Sequence, residues 1–263
     1  MNEWIRNREI RGRVTFSIDD VREAFPEISE ATLATAIQRA IKSGRIQNVR
    51  NGFYVIVPPQ YALKGLIPPS YYIDALMDWL DKPYYVCLLS AANMFGAGHQ
   101  RAMQTQVMTV APKSRTSGRN NLIQWNYRQQ IPDGLLLRTN TEAGIMKYSS
   151  AELTAVDLVQ FADHIGGYQR VAVVLAELVE SLDIAKMRDV MPFTTAATIQ
   201  RMGYIFEYVL EESRKADELF GLLTDGHKSL KLVQMRNGVE KREGCPQNRW
   251  HVNMNIDIEL DEL

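Results

Sequence analysis

Two serine-led helical segments followed by an Asn-Gly turn constrain the fold of this chain more than any other feature. Ser17 and Ser29 each precede a segment with helical apolar spacing, and a serine in that position caps a helix by accepting a backbone N–H. Asn51 and Gly52 separate two apolar runs and favour a tight hairpin turn, which needs residues that tolerate positive φ. The predicted elements are two helices and a β-hairpin, over residues 18–25, 30–43 and 45–57.

With a short helix over residues 2–10 and a brief strand over 13–16, the N-terminal order becomes helix, strand, helix, helix, hairpin. This order is typical of a winged helix-turn-helix, whose second paired helix enters the major groove of DNA. The outward side chains of that helix offer hydroxyl, amide and cationic groups to bases and phosphates. Two hairpin arginines are placed to contact the DNA backbone or minor groove. The predicted DNA-binding residues are Thr32, Thr35, Gln38, Arg39 and Lys42 on the helix and Arg45 and Arg50 on the wing.

Charge is spread unevenly along the chain, although 30 Lys and Arg against 31 Asp and Glu give a net charge of only −1. Residues 31–73 contain no acidic side chain, and neither do residues 82–132. Because phosphate contact tolerates cations and rejects carboxylates, this local asymmetry favours DNA binding by the N-terminal region. A winged helix can also act as a protein-interaction scaffold, and that alternative stays open.

Two Pro-Pro pairs and a glycine within residues 58–69 predict a stiff connector, because proline restricts its neighbour and removes a backbone donor. The predicted domains are a winged helix-turn-helix at 1–58, a Pro-rich connector at 59–69 and a larger domain at 70–263. Strands grouped before and after helices indicate the α+β class, with a mixed, helix-rich second domain. Its predicted elements are a buried helix at 84–95, strands at 106–110, 122–127 and 145–148, a helix opened by Ser149 with Glu152 in a capping box, helices at 168–182 and 195–223, and a half-buried strand at 252–260.

A polar, basic loop over residues 112–121 lies between two of the predicted strands. One interpretation is a solvated hairpin tip. The other is a second basic surface that contacts phosphate or an acidic partner protein. The residues that form this surface are Lys113, Arg115 and Arg119.

Signatures of catalysis and of metal binding are missing from the sequence. No Gly-rich phosphate loop and no Gly-x-Ser-x-Gly elbow is present, the four histidines are scattered, and Cys87 has the surroundings of a core thiol. Glu152 and Asp157 point about 140° apart on one helix and do not converge. We therefore expect no catalytic residues, no metal and no cofactor. The charged N-terminus and the lack of a long apolar stretch predict a cytoplasmic protein without a membrane segment.

A series of short motifs, in a fixed order over about residues 10–210, resembles the AbiEi-type antitoxins of type IV toxin–antitoxin systems. The segment SSAELTAVDL at residues 149–158 is the most diagnostic of these motifs. Cys87 replaces a small residue usual in that family, and residues 93–95 depart from a His/Gly-rich version. The role of the turn at 96–100 is left open. The motifs, besides the winged helix, are residues 52–58, 61–65, 72–77, 84–92, 96–100, 106–108, 149–158 and 200–204.

The resemblance implies a non-enzymatic antitoxin of bacterial phage defence by abortive infection. It implies that the winged helix binds inverted repeats in the double-stranded DNA of its own promoter and represses transcription of the operon. It further implies that the C-terminal domain opposes a nucleotidyltransferase-like toxin through a functional rather than a stable contact. The family supplies no catalytic residues to carry over.

Two other function classes compete with this one. In the first, the chain is a protein-interaction module whose winged helix is a scaffold and whose basic loop docks on a partner protein. In the second, it is an enzyme, such as a nuclease or a reverser of the toxin's modification. An enzyme of that kind needs a carboxylate cluster or a bound metal.

Overall fold

The structure is a computed structural model that describes residues 1–62, 66–98, 103–110, 122–225 and 229–260. The chain forms two compact units. Unit 1 comprises Met1–Tyr85, Met103–Ile131 and Arg138–Lys147, and unit 2 comprises Val86–Ala102, Pro132–Leu137 and Tyr148–Leu263. Unit 1 runs through residues 59–69, and the division into domains 1–58, 59–69 and 70–263 stays a prediction.

The first part of unit 1 has the predicted order of helices and strands. A three-stranded sheet forms with the order β1-β3-β2, and both of its strand pairs are antiparallel. The elements are α1 (Asn2–Ile10), β1 (Thr15–Ser17), α2 (Ile18–Ala24), α3 (Glu30–Lys42), β2 (Ile46–Arg50) and β3 (Phe53–Ile56).

Local capping explains why these helices begin where the sequence predicts. The Ser17 hydroxyl accepts the Asp20 backbone N–H at 3.1 Å, while the Asp20 carboxylate accepts the Ser17 N–H at 2.6 Å. This reciprocal pair is a capping box. Ser29 caps α3 by accepting the N–H of Thr32. The turn between β2 and β3 contains Gly52 at φ +84°, a conformation that favours glycine.

A small hydrophobic core holds α1, α2 and α3 against the three-stranded sheet. Leu33 and Ile37 of α3 are buried in it together with Ile5 and Phe16. The Trp4 ring meets the Phe16 ring edge-on, with centroids 5.1 Å apart. The buried α3 residues recur every three or four positions, so the opposite side of this helix faces solvent.

Beyond α4 (Ile73–Trp79), the chain builds a five-stranded sheet with the order β6-β5-β4-β8-β7, most of whose residues lie in unit 1. Two 3-10 turns, Pro59–Tyr61 and Pro69–Tyr71, precede α4. The strands are β4 (Tyr84–Val86), β5 (Thr105–Thr109), β6 (Ile123–Tyr127), β7 (Leu136–Thr141) and β8 (Gly144–Ser149).

The predicted buried helix over residues 84–95 is wrong in its first part. Residues 84–86 form strand β4, and only then does the short helix α5 (Leu88–Ala92) begin, followed by a 3-10 turn at Asn93–Phe95. Leu88 has a φ of +53°, which marks the break between strand and helix. A fully buried strand and a buried helix are both uniformly apolar, so hydrophobic periodicity cannot distinguish them.

Strands β5 and β6 pair in parallel, with Thr105 opposite Ile123 and Thr109 opposite Tyr127. A hairpin would make them antiparallel, so the hairpin-tip interpretation of the basic loop between them is wrong. The loop residues Lys113, Arg115 and Arg119 lie outside the described residues.

Unit 2 is built mainly of helices around α6 (Ala151–Gln160). Every residue of this helix from Ala151 to Val159 is buried. Helix α6 packs against four other helices of the unit. The remaining elements are α5, α7 (Tyr168–Leu178), α8 (Met187–Val190), α9 (Ala196–Tyr204), a π-helical segment (Ile205–Val209), α10 (Ser213–Thr224), and the parallel strand pair β9 (Val233–Gln234) and β10 (Val252–Asn253).

The start of α6 differs by one residue from the prediction. Ser150, not Ser149, caps the helix by accepting the N–H of Leu153 at 3.3 Å. The Ser149 hydroxyl instead lies 2.6 Å from the Thr154 hydroxyl. Glu152 forms no capping box, because its carboxylate accepts the N–H of Asp183 at 3.2 Å. Adjacent serines offer two equivalent sequence positions, and tertiary contacts decide between them.

Two other C-terminal predictions are wrong in their extent. The helix predicted over 195–223 breaks at residues 210–212, where Glu211 has a φ of +59°. The strand predicted over 252–260 ends at Asn253. Asn253 and Asn255, which the alternation assigns to the solvent side, are buried because their side-chain amides bond to the backbone of Arg242 and Arg236. The α+β class itself is confirmed.

Candidate nucleic-acid interface

One face of α3 carries all five helix residues predicted to bind DNA. Leu33, Ile37 and Ala40 are buried on the opposite side, which leaves this face to solvent. The five side chains, which we call the α3 face, are all exposed: Thr32, Thr35, Gln38, Arg39 and Lys42.

The side chains in the last two turns of the α3 face are available to a ligand. Gln38, Arg39 and Lys42 make no side-chain hydrogen bond or ion pair with any residue in the part of the chain that the structure describes. The Thr35 hydroxyl donates to the Ala31 carbonyl at 2.8 Å and keeps its lone pairs. The Thr32 hydroxyl lies 2.9 Å from that of Ser29 within the helix cap. The α3 face therefore presents a free amide and two free cations.

Charges near the first turn of α3 neutralise each other. Arg22 forms ion pairs with Asp19 and with Glu30, each at 2.8 Å. The hydrogen bond to Glu30 raises the pKa of Arg22, and the same arginine lowers the pKa of Glu30. Positive charge without a partner is thus concentrated at the C-terminal end of α3, where it also complements the helix dipole.

The two predicted wing arginines have different environments. Arg45 is exposed and lies 3.6 Å from Glu9, an exposed pair that contributes little to stability and that a phosphate can replace. Arg50 is half-buried, and its Nη1 atom is buried without a hydrogen-bond partner in the described part of the chain. Of the two, only Arg45 is presented to solvent as the sequence predicts.

The hairpin turn is packed against α4 by a residue that the sequence analysis missed. A Cβ atom on Gly52 would lie in ordinary van der Waals contact with Ile18 at 3.5 Å and with Trp79 at 3.6 Å, so the turn lies directly beside both side chains. The Trp79 and Phe53 rings have centroids 5.5 Å apart, and the Gly52 carbonyl accepts the Ile18 N–H at 2.8 Å. Trp79 therefore fixes the position of the hairpin. Its place at the end of an amphipathic helix gave no sign of this role.

A small cavity of about 230 Å³ in unit 1 carries charges of both signs. Arg8 and Arg13 line it together with Asp74 and Asp78. Arg8 is already engaged, because its guanidinium donates to the Thr15 carbonyl at 2.8 Å. The opposing carboxylates make this cavity a poor site for phosphate.

The carboxylates considered for catalysis do not form a site. Glu152 and Asp157 are both buried within α6, and Glu152 holds a backbone N–H. Among the described residues, no group of three or more His, Cys, Asp or Glu side chains could hold a metal ion. At the turn over 96–100, the Gly98 N–H donates to the Glu177 carboxylate, while His99 and Gln100 lie outside the described residues.

The motif at residues 200–204 has a structural role. Gln200 donates to the carbonyls of Lys231 and Trp250, at 2.9 and 2.6 Å. Arg201 is buried, and it donates to the Gln234 carbonyl at 2.8 Å and to the Asn237 side chain at 2.9 Å. These bonds attach the C-terminal segment (residues 229–260) to α9.

Gly203 and Trp250 explain why this motif needs a glycine. The Trp250 ring would lie 2.2 Å from a Cβ atom on Gly203, closer than any side chain allows. The buried Trp250 indole donates to the Glu207 carboxylate at 2.6 Å, and its ring meets that of Phe220 edge-on at 5.2 Å. The motif therefore accommodates a tryptophan of the C-terminal segment.

The described geometry defines a class: an α+β protein with an N-terminal helix-and-hairpin module and a helical C-terminal unit, without a recognisable catalytic centre among the described residues. Residues 84–208 match the family model described as the AbiEi antitoxin C-terminal domain. Over these residues the resemblance to the AbiEi antitoxins seen in the sequence is confirmed. This domain supports an antitoxin role in a toxin–antitoxin or abortive-infection system.

The comparison of folds agrees with the α+β class. The crystal structure of the RV2827C protein from Mycobacterium tuberculosis is similar to this chain, with a TM-score of 0.64 and 13% sequence identity. The similarity covers 91% of this chain and 85% of that protein. Curated protein sequences give no significant match. No helix in the described ranges combines the length and apolar character needed to cross a membrane.

Proposed function

We propose that this protein is a non-enzymatic antitoxin of a type IV system that also binds DNA and represses its own promoter. The α3 face carries this proposal, because it presents Gln38, Arg39 and Lys42 to solvent without partners in the described part of the chain. An exposed helix with a free amide and free cations has the donor set that reads base edges and phosphates.

The dimensions of α3 suit the major groove. Its 13 residues span about 20 Å at 1.5 Å per residue, and the groove is about 12 Å wide. Arg39 would bond to a guanine and Gln38 to an adenine, the pairings that side-chain geometry favours. Thr32, Thr35 and Lys42 would contact phosphates on either side, and these contacts fix the register on the duplex.

The hairpin would act as the wing of a winged helix-turn-helix. Arg45 would exchange its weak pair with Glu9 for a phosphate of the DNA backbone. Arg50 would need to leave its half-buried position before it could do the same. We therefore assign the main wing contact to Arg45 and a smaller one to Arg50.

Repression follows when two copies occupy an inverted repeat in the promoter. Half-sites read by this class of domain lie about 34–36 Å apart, one turn of the duplex. The partner that the antitoxin opposes would be a nucleotidyltransferase-like toxin, through a functional rather than a stable contact.

Fluorescence anisotropy with DNA from upstream of the gene tests this proposal. We expect saturable binding that resists competitor DNA and weakens with salt. Arg39→Ala should lose about 5- to 150-fold in affinity, equal to about 1–3 kcal/mol for a base contact. Arg214→Ala is the matched control, because Arg214 is an arginine of α10 that is 91% exposed. Binding at the non-specific level for the unmodified chain would contradict the proposal and favour the protein-interaction module.

A further inference from the structure

The C-terminal segment lines an open, polar cavity that the proposed function does not use. The cavity has a volume of about 350 Å³, at the lower end of the range for small-molecule sites, about 300–1,000 Å³. Most of its lining is polar. The lining residues are Leu232, Lys241, Cys245, Pro246, Gln247, Asn248, His251, Val252 and Asn253.

Hydrogen bonds within the segment keep the walls of this cavity in place. The Asn248 side chain accepts the Val252 N–H at 3.1 Å and donates to the Val252 carbonyl at 2.7 Å. The Asn253 side chain bonds in the same way to the N–H and carbonyl of Arg242, at 3.0 and 2.9 Å. A binding site whose walls are fixed beforehand loses little entropy when a ligand enters.

The lining carries positive charge and hydrogen-bond donors but no carboxylate. Lys241 and His251 are exposed at the cavity, and neither makes an ion pair with any residue inside the described ranges. The nearby cation Arg242 is already paired with Asp257 at 2.9 Å. This lining contrasts with the surrounding half of the chain, where residues 131–263 contain 14 Lys and Arg and 21 Asp and Glu.

The backbone at His251 holds this residue in an uncommon conformation. Its φ is +53°, in the left-handed region, where non-glycine residues are infrequent. Its N–H donates to the Asn248 carbonyl at 3.1 Å, and its carbonyl accepts the Val233 N–H at 2.9 Å. Such conformations persist where the surrounding structure fixes them. Here the backbone hydrogen bonds of His251 hold its imidazole at the edge of the cavity.

We propose that this cavity binds a small phosphate-bearing molecule of about the size of a mononucleotide. Lys241 supplies a point charge with three donors, His251 an imidazole N–H, and Gln247 an amide for the remaining oxygens. Phosphate offers the matching set of acceptors, and the volume leaves room for a group attached to it. The absence of lining carboxylates removes the repulsion that would otherwise exclude an anion.

Cys245 provides a direct test in the full-length chain. Cys245 is half-buried in the cavity lining and forms no disulfide, whereas Cys87 is fully buried and acts as an internal control. The rate of alkylation by neutral iodoacetamide, followed by mass spectrometry of each cysteine, reports occupancy. The probes are inorganic phosphate, AMP, adenosine and sodium chloride at matched ionic strength.

We expect phosphate and AMP to slow alkylation of Cys245 at least fivefold, with AMP acting at lower concentration than phosphate. Adenosine and chloride should leave the rate unchanged. Lys241→Ala should abolish the protection, while Lys231→Ala, an exposed lysine outside the lining, should keep it. Equal protection by chloride, or full protection in Lys241→Ala, would overturn the proposal.

A second variant, His251→Asn, tests the proposal independently in case Lys241→Ala does not fold. His251→Asn keeps a residue that tolerates left-handed φ while it removes the imidazole. We expect at least threefold weaker protection by phosphate in this variant, with an unchanged melting temperature. Unchanged protection in both folded variants would also overturn the proposal. None of these results depends on DNA binding.

Discussion

Arg39 of α3 and Arg201 of α9 are both helical arginines, but their surroundings give them different roles. Arg39 of α3 is exposed and makes no bond with a described residue, whereas Arg201 of α9 is buried and donates to Gln234 and Asn237. The free cation is available to a ligand, and the buried one holds the C-terminal segment. A basic residue in a helix therefore says little about function until its partners are known.

Replacing Trp250, which packs on Gly203 of α9, should give the largest loss of stability. Trp250→Ala would leave a cavity beside Gly203 and remove the indole donor from the Glu207 carboxylate, which keeps its ion pair with Arg249. We expect a decrease of about 3–5 kcal/mol in the free energy of unfolding, the range for large-to-small core substitutions. Urea unfolding followed by tryptophan fluorescence and circular dichroism measures it. A decrease under about 1 kcal/mol would mean that the C-terminal segment is not attached as described.

Substituting the two arginines should give opposite results in two assays. Arg201→Ala should lower the free energy of unfolding by about 2–3 kcal/mol, because buried acceptors lose a charged donor. Its affinity for promoter DNA should not change. Arg39→Ala should leave stability within about 0.5 kcal/mol, as surface substitutions usually do, and should weaken DNA binding. The same pattern in both variants would remove the distinction between the two arginines.

Trp79→Ala tests whether the hairpin depends on α4 for its position. The substitution removes the Phe53–Trp79 ring contact and the packing around Gly52. We expect the free energy of unfolding to fall by about 1–2 kcal/mol, of which aromatic pairing accounts for about 0.5–1.5 kcal/mol. Promoter affinity should also fall a few-fold, because the wing is no longer held. A loss of stability with unchanged affinity would show that the wing position does not matter for binding.

Arg45→Ala should have the smallest effect on DNA binding of the substitutions expected to weaken it. Its partner Glu9 is half-exposed, so we expect less than about 1 kcal/mol of change in stability. The slope of log K against log salt should flatten by about 0.9, the value expected when one phosphate is no longer neutralised. Anisotropy titrations at four salt concentrations measure this slope. The half-buried Arg50 provides the comparison, since Arg50→Ala should change the slope less.

The N-terminal module could be predicted closely because its signals are local. Ser17 and Ser29 cap their own helices, and Asn51-Gly52 makes its own turn. Helical spacing also separates the exposed α3 residues from buried ones such as Leu33 and Ile37. Each of these inferences needs only a few neighbouring residues.

The features that the sequence did not predict depend on contacts between residues that are not neighbours in sequence. Asn253 is buried because it bonds to Arg242, and the polar alternation around it therefore predicted the wrong side. The half-burial of Arg50 and the packing of Trp79 on Gly52 also arise only in the folded unit. Tertiary hydrogen bonds and packing override the local pattern at such positions.

Binding of the full-length protein and of its Arg39→Ala variant to a panel of upstream DNA duplexes, each with one base pair changed, tests the central claim most directly. If α3 reads the major groove, the unmodified protein should discriminate by about 1–3 kcal/mol at the base pair that Arg39 contacts. The variant should lose discrimination at that base pair and keep it elsewhere. An identical specificity profile for the two proteins would contradict the assignment of the α3 face as the DNA-reading surface.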